Sequence, residues 1–172
     1  MTKVAILIHG YIGRIDGSVG TNYANRNKSN NNIIREENEI FLKIITNHYK
    51  KFGYINNKNI DFFIHSWSFN QEDLIKKYFN PKVLKTEKGI ETSDMMNNWL
   101  GTIRSYGIDG TTNGVKEGHQ GSSKLHHIYA LKKVWEIFEP YSSEYDIIIH
   151  ARFSMCLHKP FPFSKLKRNT MY

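Results

Sequence analysis

Short β-branched apolar segments alternate along this chain with segments that have the periodicity of an amphipathic helix. Strands are predicted at residues 3–8, 60–67 and 82–86, and from Tyr145 onward. Helices are predicted at residues 36–52, 71–79, 95–103 and 122–138. Strands that alternate with helices usually form a mostly parallel sheet with right-handed crossovers. The sequence therefore predicts an α/β fold in which helices flank a mostly parallel sheet.

Two segments interrupt this alternation. Residues 15–34 and 104–121 are rich in glycine, asparagine or serine and poor in apolar side chains, which is typical of long flexible loops. The chain has 172 residues, 40% of them hydrophobic, which is enough for one core. Because no internal repeat and no domain boundary is recognisable, residues 1–172 are predicted to form a single domain.

The chain carries an excess of positive charge, with a formal net charge of +8 and a pI of about 9.5. Such an excess favours anionic partners. The basic residues are scattered, however, and their densest cluster lies at residues 165–168. The sequence has no zinc finger, no RNA-binding aromatic motif and no helix-turn-helix pattern, so binding to nucleic acid is not predicted.

The cysteine content and the hydropathy indicate in which cellular compartment the protein is expected. The single cysteine, Cys156, excludes an internal disulfide and a multi-cysteine zinc site. No apolar run reaches the roughly eighteen residues that a membrane span needs. The apolar stretch near the N-terminus lacks a cleavage site of the kind that signal peptides have. A protein without a membrane span, located in the reducing cytoplasm, is therefore expected.

Polar side chains stand where three of the predicted strands end. His9, His65 and His150 each lie at or near the carboxyl end of a strand, and Arg152 and Ser154 follow His150. In open α/β sheets, ligands bind in the crevice beyond the carboxyl ends of the strands. If the strands are neighbours, the three histidines line one cleft. The alternative is that they are partly buried side chains with satisfied hydrogen bonds.

The start of the helix predicted at residues 122–138 is a second candidate for anion binding. Backbone amides at a helix N-terminus attract anions, and Lys124 lies beside them. The alternative is an ordinary N-cap at Ser122 or Ser123 with a surface lysine. Lys132 lies further along the same helix, where a solvated helix face is the simpler interpretation.

Four segments taken in order resemble a group of bacterial and large-virus glycosyltransferase-like proteins of the GT-A type. That group opens with a strand and a Gly-to-Arg loop and continues with a "DVFIHTWD"-like strand. A Ser-initiated helix of the "SxxYSIYKxNxLKK" kind and a "YDxVIRxRFDLxF" strand follow. The corresponding segments are KVAILIHGYIGR (3–14), DFFIHSW (61–67), SSKLHHIYALKKVWEIF (122–138) and YDIIIHARFSM (145–155). The resemblance covers most of the chain apart from the two loops.

The resemblance implies a nucleotide-diphospho-sugar transferase fold of Rossmann-like architecture. A nucleotide-sugar would be the donor, and a glycan or similar molecule would be the acceptor. Gly10 and Arg14 would lie near the nucleotide, with His9 and His65 at the same strand ends. Ser66 and Trp67 would lie near the base or ribose. The residues that would contact the diphosphate or the sugar-phosphate region are Lys124, Lys132, Arg152, His150 and Ser154. The resemblance names no catalytic base.

The resemblance also implies a divalent cation, because Mg²⁺ or Mn²⁺ offsets the charge of the departing nucleoside diphosphate. Ser154 stands where the group has an aspartate, however. Either Arg152, His150 and nearby lysines neutralise the diphosphate without metal, or the site has degenerated. GT-A enzymes also place acceptor-binding elements after this strand, whereas the sequence ends at Tyr172. A truncated or minimal transferase is thus one expectation, and a module that binds nucleotide or nucleic acid without catalysis is the other.

Overall fold

In the part of the chain that the structure describes, four parallel strands form one sheet. They are β1 (Val4–Gly10), β2 (Ile60–Ser66), β3 (Val83–Thr86) and β4 (Ile147–Arg152). Their order across the sheet is β3-β2-β1-β4. The apolar, β-branched composition of these segments suits buried strands. The prediction of an α/β fold with a mostly parallel sheet is therefore confirmed.

The structure is a computed structural model that describes residues 2–12, 31–87, 120–155, 159–161 and 163. Several sequence predictions fall outside these residues. They concern Arg14, most of the two predicted loops, the helix at residues 95–103 and the basic cluster at residues 165–168.

Among the described residues, three α-helices accompany the strands. They are α1 (Asn31–Lys51), α2 (Glu72–Phe79) and α3 (Gln120–Phe138). Two helix starts were predicted too late. α1 begins inside the segment predicted as a loop, and α3 begins before Ser122 and Ser123, so neither serine is the N-cap of this helix. Short 3₁₀ helices at Phe69–Gln71 and Glu139–Glu144 precede α2 and follow α3.

The sheet separates two apolar layers, because successive side chains of a strand point to opposite faces. On one face, the strands pack against buried side chains of α1 and α2. This layer includes Val4, Ile6, Ile8, Phe62, Ile64, Leu42, Ile45, Tyr49, Ile75 and Phe79. On the other face, α3 covers β1 and β2. This layer includes Ala5, Leu7, Phe63, Val134 and Phe138.

Some apolar positions are more exposed than the sequence pattern predicts. Ile40 and Ile44 belong to the predicted apolar stripe of α1, yet they are 57% and 51% exposed, whereas Leu42 is fully buried. β4 opens with the apolar run at residues 147–149, which is typical of a strand buried on both faces. Ile149 is buried, but Ile148, which points to the α3 face, is 38% exposed. α3 packs mainly on β1 and β2, and Ile148 does not belong to this packed layer, which is the physical reason.

A group of polar side chains ties the strands together at the amino ends of the sheet. The Tyr145 hydroxyl donates to Asp61 Oδ2 at 2.6 Å and accepts from Lys82 Nζ at 3.0 Å. Glu144 lies 2.8 Å from both Lys3 Nζ and Lys82 Nζ. These contacts connect the segments that enter β1, β2, β3 and β4, so they fix the end of the sheet opposite the predicted cleft.

Among the described helices, none combines the length and the apolar character that crossing a membrane requires.

Candidate functional site

A row of basic side chains lies at the carboxyl ends of the strands, on the face that α3 covers. His9 of β1 is in register with His65 of β2 and with Arg152 of β4. Residues in register on parallel strands point to the same face. His150 lies on this face too, because it is in register with Leu7. The sheet topology therefore brings the predicted strand-end residues to one face.

An open cleft of about 580 Å³ lies between this face and α3. Its lining side chains come from β1, α3 and β4 and from the turn after β4. They are His9, His127, Leu131, Trp135, His150, Ala151, Arg152 and Met155. Three of the predicted site residues, His9, His150 and Arg152, therefore meet in one place.

α3 contributes a stripe that sequence reasoning missed. His127, Leu131 and Trp135 are spaced i, i+4 and i+8, so they share one helix face. That face borders the stripe formed by Ala130, Val134 and Phe138, which is buried in the core. The sequence shows this spacing, but the spacing alone does not determine which stripe of the helix faces the strands.

His9 and His127 form a pair of imidazoles at the inner wall of the cleft. Their ring centroids are 4.9 Å apart, and the rings are tilted by 38°. His9 is only 2% exposed. Burial is the main cause that lowers the pKa of His9 to about 3, and the neighbouring His127 and Arg152 lower it further. His9 is therefore neutral at physiological pH.

His127 is more accessible than His9. Burial, and then the charge of Arg152, lowers the pKa of His127. Its Nδ1 atom is enclosed and has no hydrogen-bond partner among the described residues. A neutral imidazole can serve either as a donor or as an acceptor, so His127 can adapt to a group that enters the cleft.

Arg152 is an exposed cation that forms no ion pair with any side chain in the described part of the chain. None of the eight side chains that line the cleft carries a carboxylate. A guanidinium presents several donors in a planar fork that fits phosphate and carboxylate oxygens. The cleft is therefore suited to an anion.

Trp135 supplies an apolar surface beside this cation. Its side chain is 39% exposed, and its ring lies nearly parallel to that of His150, with 6.2 Å between the centroids. Met155 and Leu131 also line the cleft. A planar ring or the apolar face of a sugar can pack on such a surface.

His65 does not line the cleft, although the strand-end interpretation placed it there. Its side chain is fully buried, and Nε2 lies 2.9 Å from Glu87 Oε1. Burial lowers the pKa of His65 more than Glu87 raises it. We therefore assign a neutral imidazole that donates from Nε2 to the carboxylate. The alternative of a buried histidine with satisfied hydrogen bonds therefore holds for Nε2 only, because the buried Nδ1 has no hydrogen-bond partner among the described residues.

Ser66 and Gly10 shape the strand ends. The Ser66 hydroxyl donates to the Gly10 carbonyl at 3.0 Å and accepts from the Ser68 amide at 3.1 Å. Gly10 has φ +109°, a backbone conformation that residues other than glycine rarely adopt. These residues position the chain that follows β1 and β2, and neither belongs to the cleft lining.

Five other predicted site residues lie away from the cleft or beyond the described side chains. Trp67 is 4% exposed and packs against Ala130 in the core. Lys132 is exposed, with Nζ 3.8 Å from Glu136. Ser154 is exposed and is not part of the lining. The side chain of Lys124 and all of Arg14 fall outside the described residues.

The described residues contain no group of three or more His, Cys, Asp or Glu side chains that could hold a metal ion. Comparisons with protein-family models, with curated proteins and with solved structures found no match to this chain. The resemblance to GT-A proteins therefore stays a prediction.

Proposed function

We propose that the cleft binds a nucleotide-sugar and that the protein is a glycosyltransferase-like protein, acting on a glycan or similar acceptor. The observation that carries this proposal is the guanidinium of Arg152, which forms no ion pair with any side chain in the described part of the chain. It faces a cleft at the carboxyl ends of parallel strands, and none of the described side chains that line this cleft carries a carboxylate. Ligands of open α/β folds bind at this end of the sheet.

The dimensions of the cleft support a ligand of this size. Its volume of about 580 Å³ lies within the roughly 300–1,000 Å³ typical of small-molecule pockets. Arg152 would bind the diphosphate, and the exposed ring of Trp135 would support the base or the sugar. A cation beside an apolar surface matches the two chemical parts of a nucleotide-sugar.

A second candidate function is a module of the same fold that binds nucleotide without transferring sugar. The composition of the cleft favours it, since none of the described side chains of the lining is a carboxylate that could act as a base. The lining does include imidazoles, but burial lowers the pKa of His9 to about 3. An imidazole with so low a pKa is a weak base near neutral pH, which also favours a binding module.

A thermal-shift screen against UDP-, GDP-, ADP- and CMP-sugars tests binding, because a ligand that binds only the folded state raises the melting temperature. Arg152→Gln should weaken binding of the responding nucleotide by about 10- to 100-fold, through loss of charge-assisted hydrogen bonds. Lys50→Gln is the matched control. It removes the same charge from an exposed position at the end of α1, on the opposite side of the sheet.

Lys132→Gln tests a residue that the sequence assigns to the diphosphate but that the structure places outside the cleft. Because Lys132 lies outside the cleft, this variant should bind like the wild type. No thermal shift with any nucleotide-sugar, or an Arg152→Gln variant that binds normally, would refute the proposed site. Release of nucleoside diphosphate in the presence of acceptor glycans would distinguish a transferase from a binding module.

A further inference from the structure

Three elements direct basic or titratable side chains into the cleft. β1 supplies His9, α3 supplies His127, and β4 supplies His150 and Arg152. On the far side of His9, β2 supplies His65, whose imidazole pairs with Glu87. The carboxylate of Glu87 is thus already bonded to His65.

The divalent cation that the GT-A resemblance implies does not fit this donor set. Mg²⁺ and Mn²⁺ prefer carboxylate, carbonyl and water oxygens. Among the described residues, the lining provides imidazole nitrogens and a guanidinium but no carboxylate. Ser154, at the position of the expected acidic ligand, is exposed and lies outside the lining. The charge of a bound anion must therefore be offset by the protein itself.

We propose that the cleft binds the phosphoryl groups of its ligand without a divalent cation, through Arg152 and through a proton that His127 takes up when the anion enters. This inference rests on the proposed function, because it specifies how the same cleft would recognise the diphosphate of a nucleotide-sugar.

His127 is the group best placed to take up this proton. In the empty cleft, burial and the charge of Arg152 keep its imidazole neutral. An anion on Arg152 reverses the sign of that local charge, and an opposite charge favours the protonated imidazole. His9 is buried against the sheet and is far less accessible. His150 stacks beside Trp135 at the outer wall of the cleft.

The sign of the pH dependence follows from this arrangement. The complex would hold one proton more than the free protein, so affinity should rise as pH falls from about 8 to about 6. For one proton the increase is at most about tenfold per pH unit. A cation-dependent site built from carboxylates would show little pH dependence over this range, because its carboxylates are already ionised.

The test uses two anions that do not themselves titrate between about pH 6 and 8. Inorganic sulfate probes the anion subsite alone, and UDP-glucose, a diphosphate diester, probes the nucleotide-sugar site. Binding of each is measured calorimetrically in EDTA and in Mn²⁺, in two buffers of different ionisation enthalpy. The pKa of His127 is followed by NMR with and without each anion. The expected result is binding in EDTA, with uptake of up to one proton and a raised pKa of His127.

Two variants identify the residue that takes up the proton when an anion binds. His127→Gln should bind with an affinity that no longer rises at lower pH, and Arg152→Gln should lose sulfate binding. His48→Gln, on α1 and away from the cleft, is the control and should keep the wild-type pH dependence. If His127→Gln does not fold, the calorimetric proton uptake and the NMR titration of the wild type still decide the question.

Each outcome separates the two proposals. UDP-glucose or another nucleotide-sugar that binds only with Mn²⁺, or without proton uptake, would overturn the inference and leave the proposed function standing. Proton-linked sulfate binding without binding of any nucleotide-sugar would overturn the proposed function and support the anion site. If neither sulfate nor a nucleotide-sugar binds, both are refuted.

Discussion

Buried His9 should make the folded state sensitive to acid, and the size of this effect can be worked out. Burial lowers the pKa of His9 from 6.5 to about 3. Above about pH 6.5, His9 is neutral in both the folded and the unfolded chain, and its contribution to stability is complete. Below that pH the unfolded chain binds a proton that the folded chain excludes, so stability falls as pH falls.

The loss is about 1.4 kcal/mol for each pH unit below 6.5, until the folded pKa is reached. At about pH 5, His9 alone should therefore cost about 2 kcal/mol relative to about pH 7.5. Replacing His9 by glutamine removes the titrating group. We expect the His9→Gln variant to lose about 2 kcal/mol less than the wild type over this range.

Urea unfolding at about pH 7.5 and about pH 5 measures this difference within each protein, so a change in baseline stability caused by the substitution does not enter. His48→Gln is the control because His48 lies in the last turn of α1, away from the cleft. It should lose as much stability as the wild type. Equal losses for His9→Gln and the wild type would show that His9 titrates normally and would refute the reasoning.

Two further predictions concern the stability of the fold, one through a side-chain hydrogen bond and one through a core side chain. Tyr145→Phe should lower the free energy of unfolding by about 1–3 kcal/mol, because the hydroxyl bonded to Asp61 at 2.6 Å is lost. Tyr141→Phe is the control in the same urea experiment, because it also removes one hydroxyl and keeps the ring. Equal losses of stability for the two variants would contradict the role given to the Tyr145 hydroxyl. Phe138→Ala should cost about 3–5 kcal/mol because Phe138 is fully buried. Ile128→Ala, at a position 46% exposed, should cost much less, and similar costs would mean that α3 is rotated differently.

The strands and their parallel arrangement could be predicted because runs such as Val4–Gly10 have few alternative structures. A short β-branched run that must be buried favours a strand, and alternation with helices favours parallel pairing. The ends of the helices were less predictable. α1 extends back to Asn31 through a polar segment whose composition is typical of a loop.

The candidate site was predictable only where it depends on strand ends. His9, His150 and Arg152 reach the cleft because β1 and β4 are neighbours in register. His127 and Trp135 were missed because apolar residues occur on several faces of α3, so the sequence does not fix the rotation of this helix. His65 was misplaced because its partner, Glu87, is 22 residues away along the chain.

An offset of α3 toward one side of the sheet explains why this protein has a cleft at all. Val134 and Phe138 cover β1 and β2, and their layer contains no side chain of β4. β4 therefore lies at the margin of this packed layer, which leaves Ile148 38% exposed on the same face as His150 and Arg152. An apolar residue at position 152 would be left partly exposed there, whereas a guanidinium keeps its hydration until an anion replaces it. The position of β4 at this margin thus accounts for the partly exposed isoleucine and for a cation that forms no ion pair in the described part of the chain.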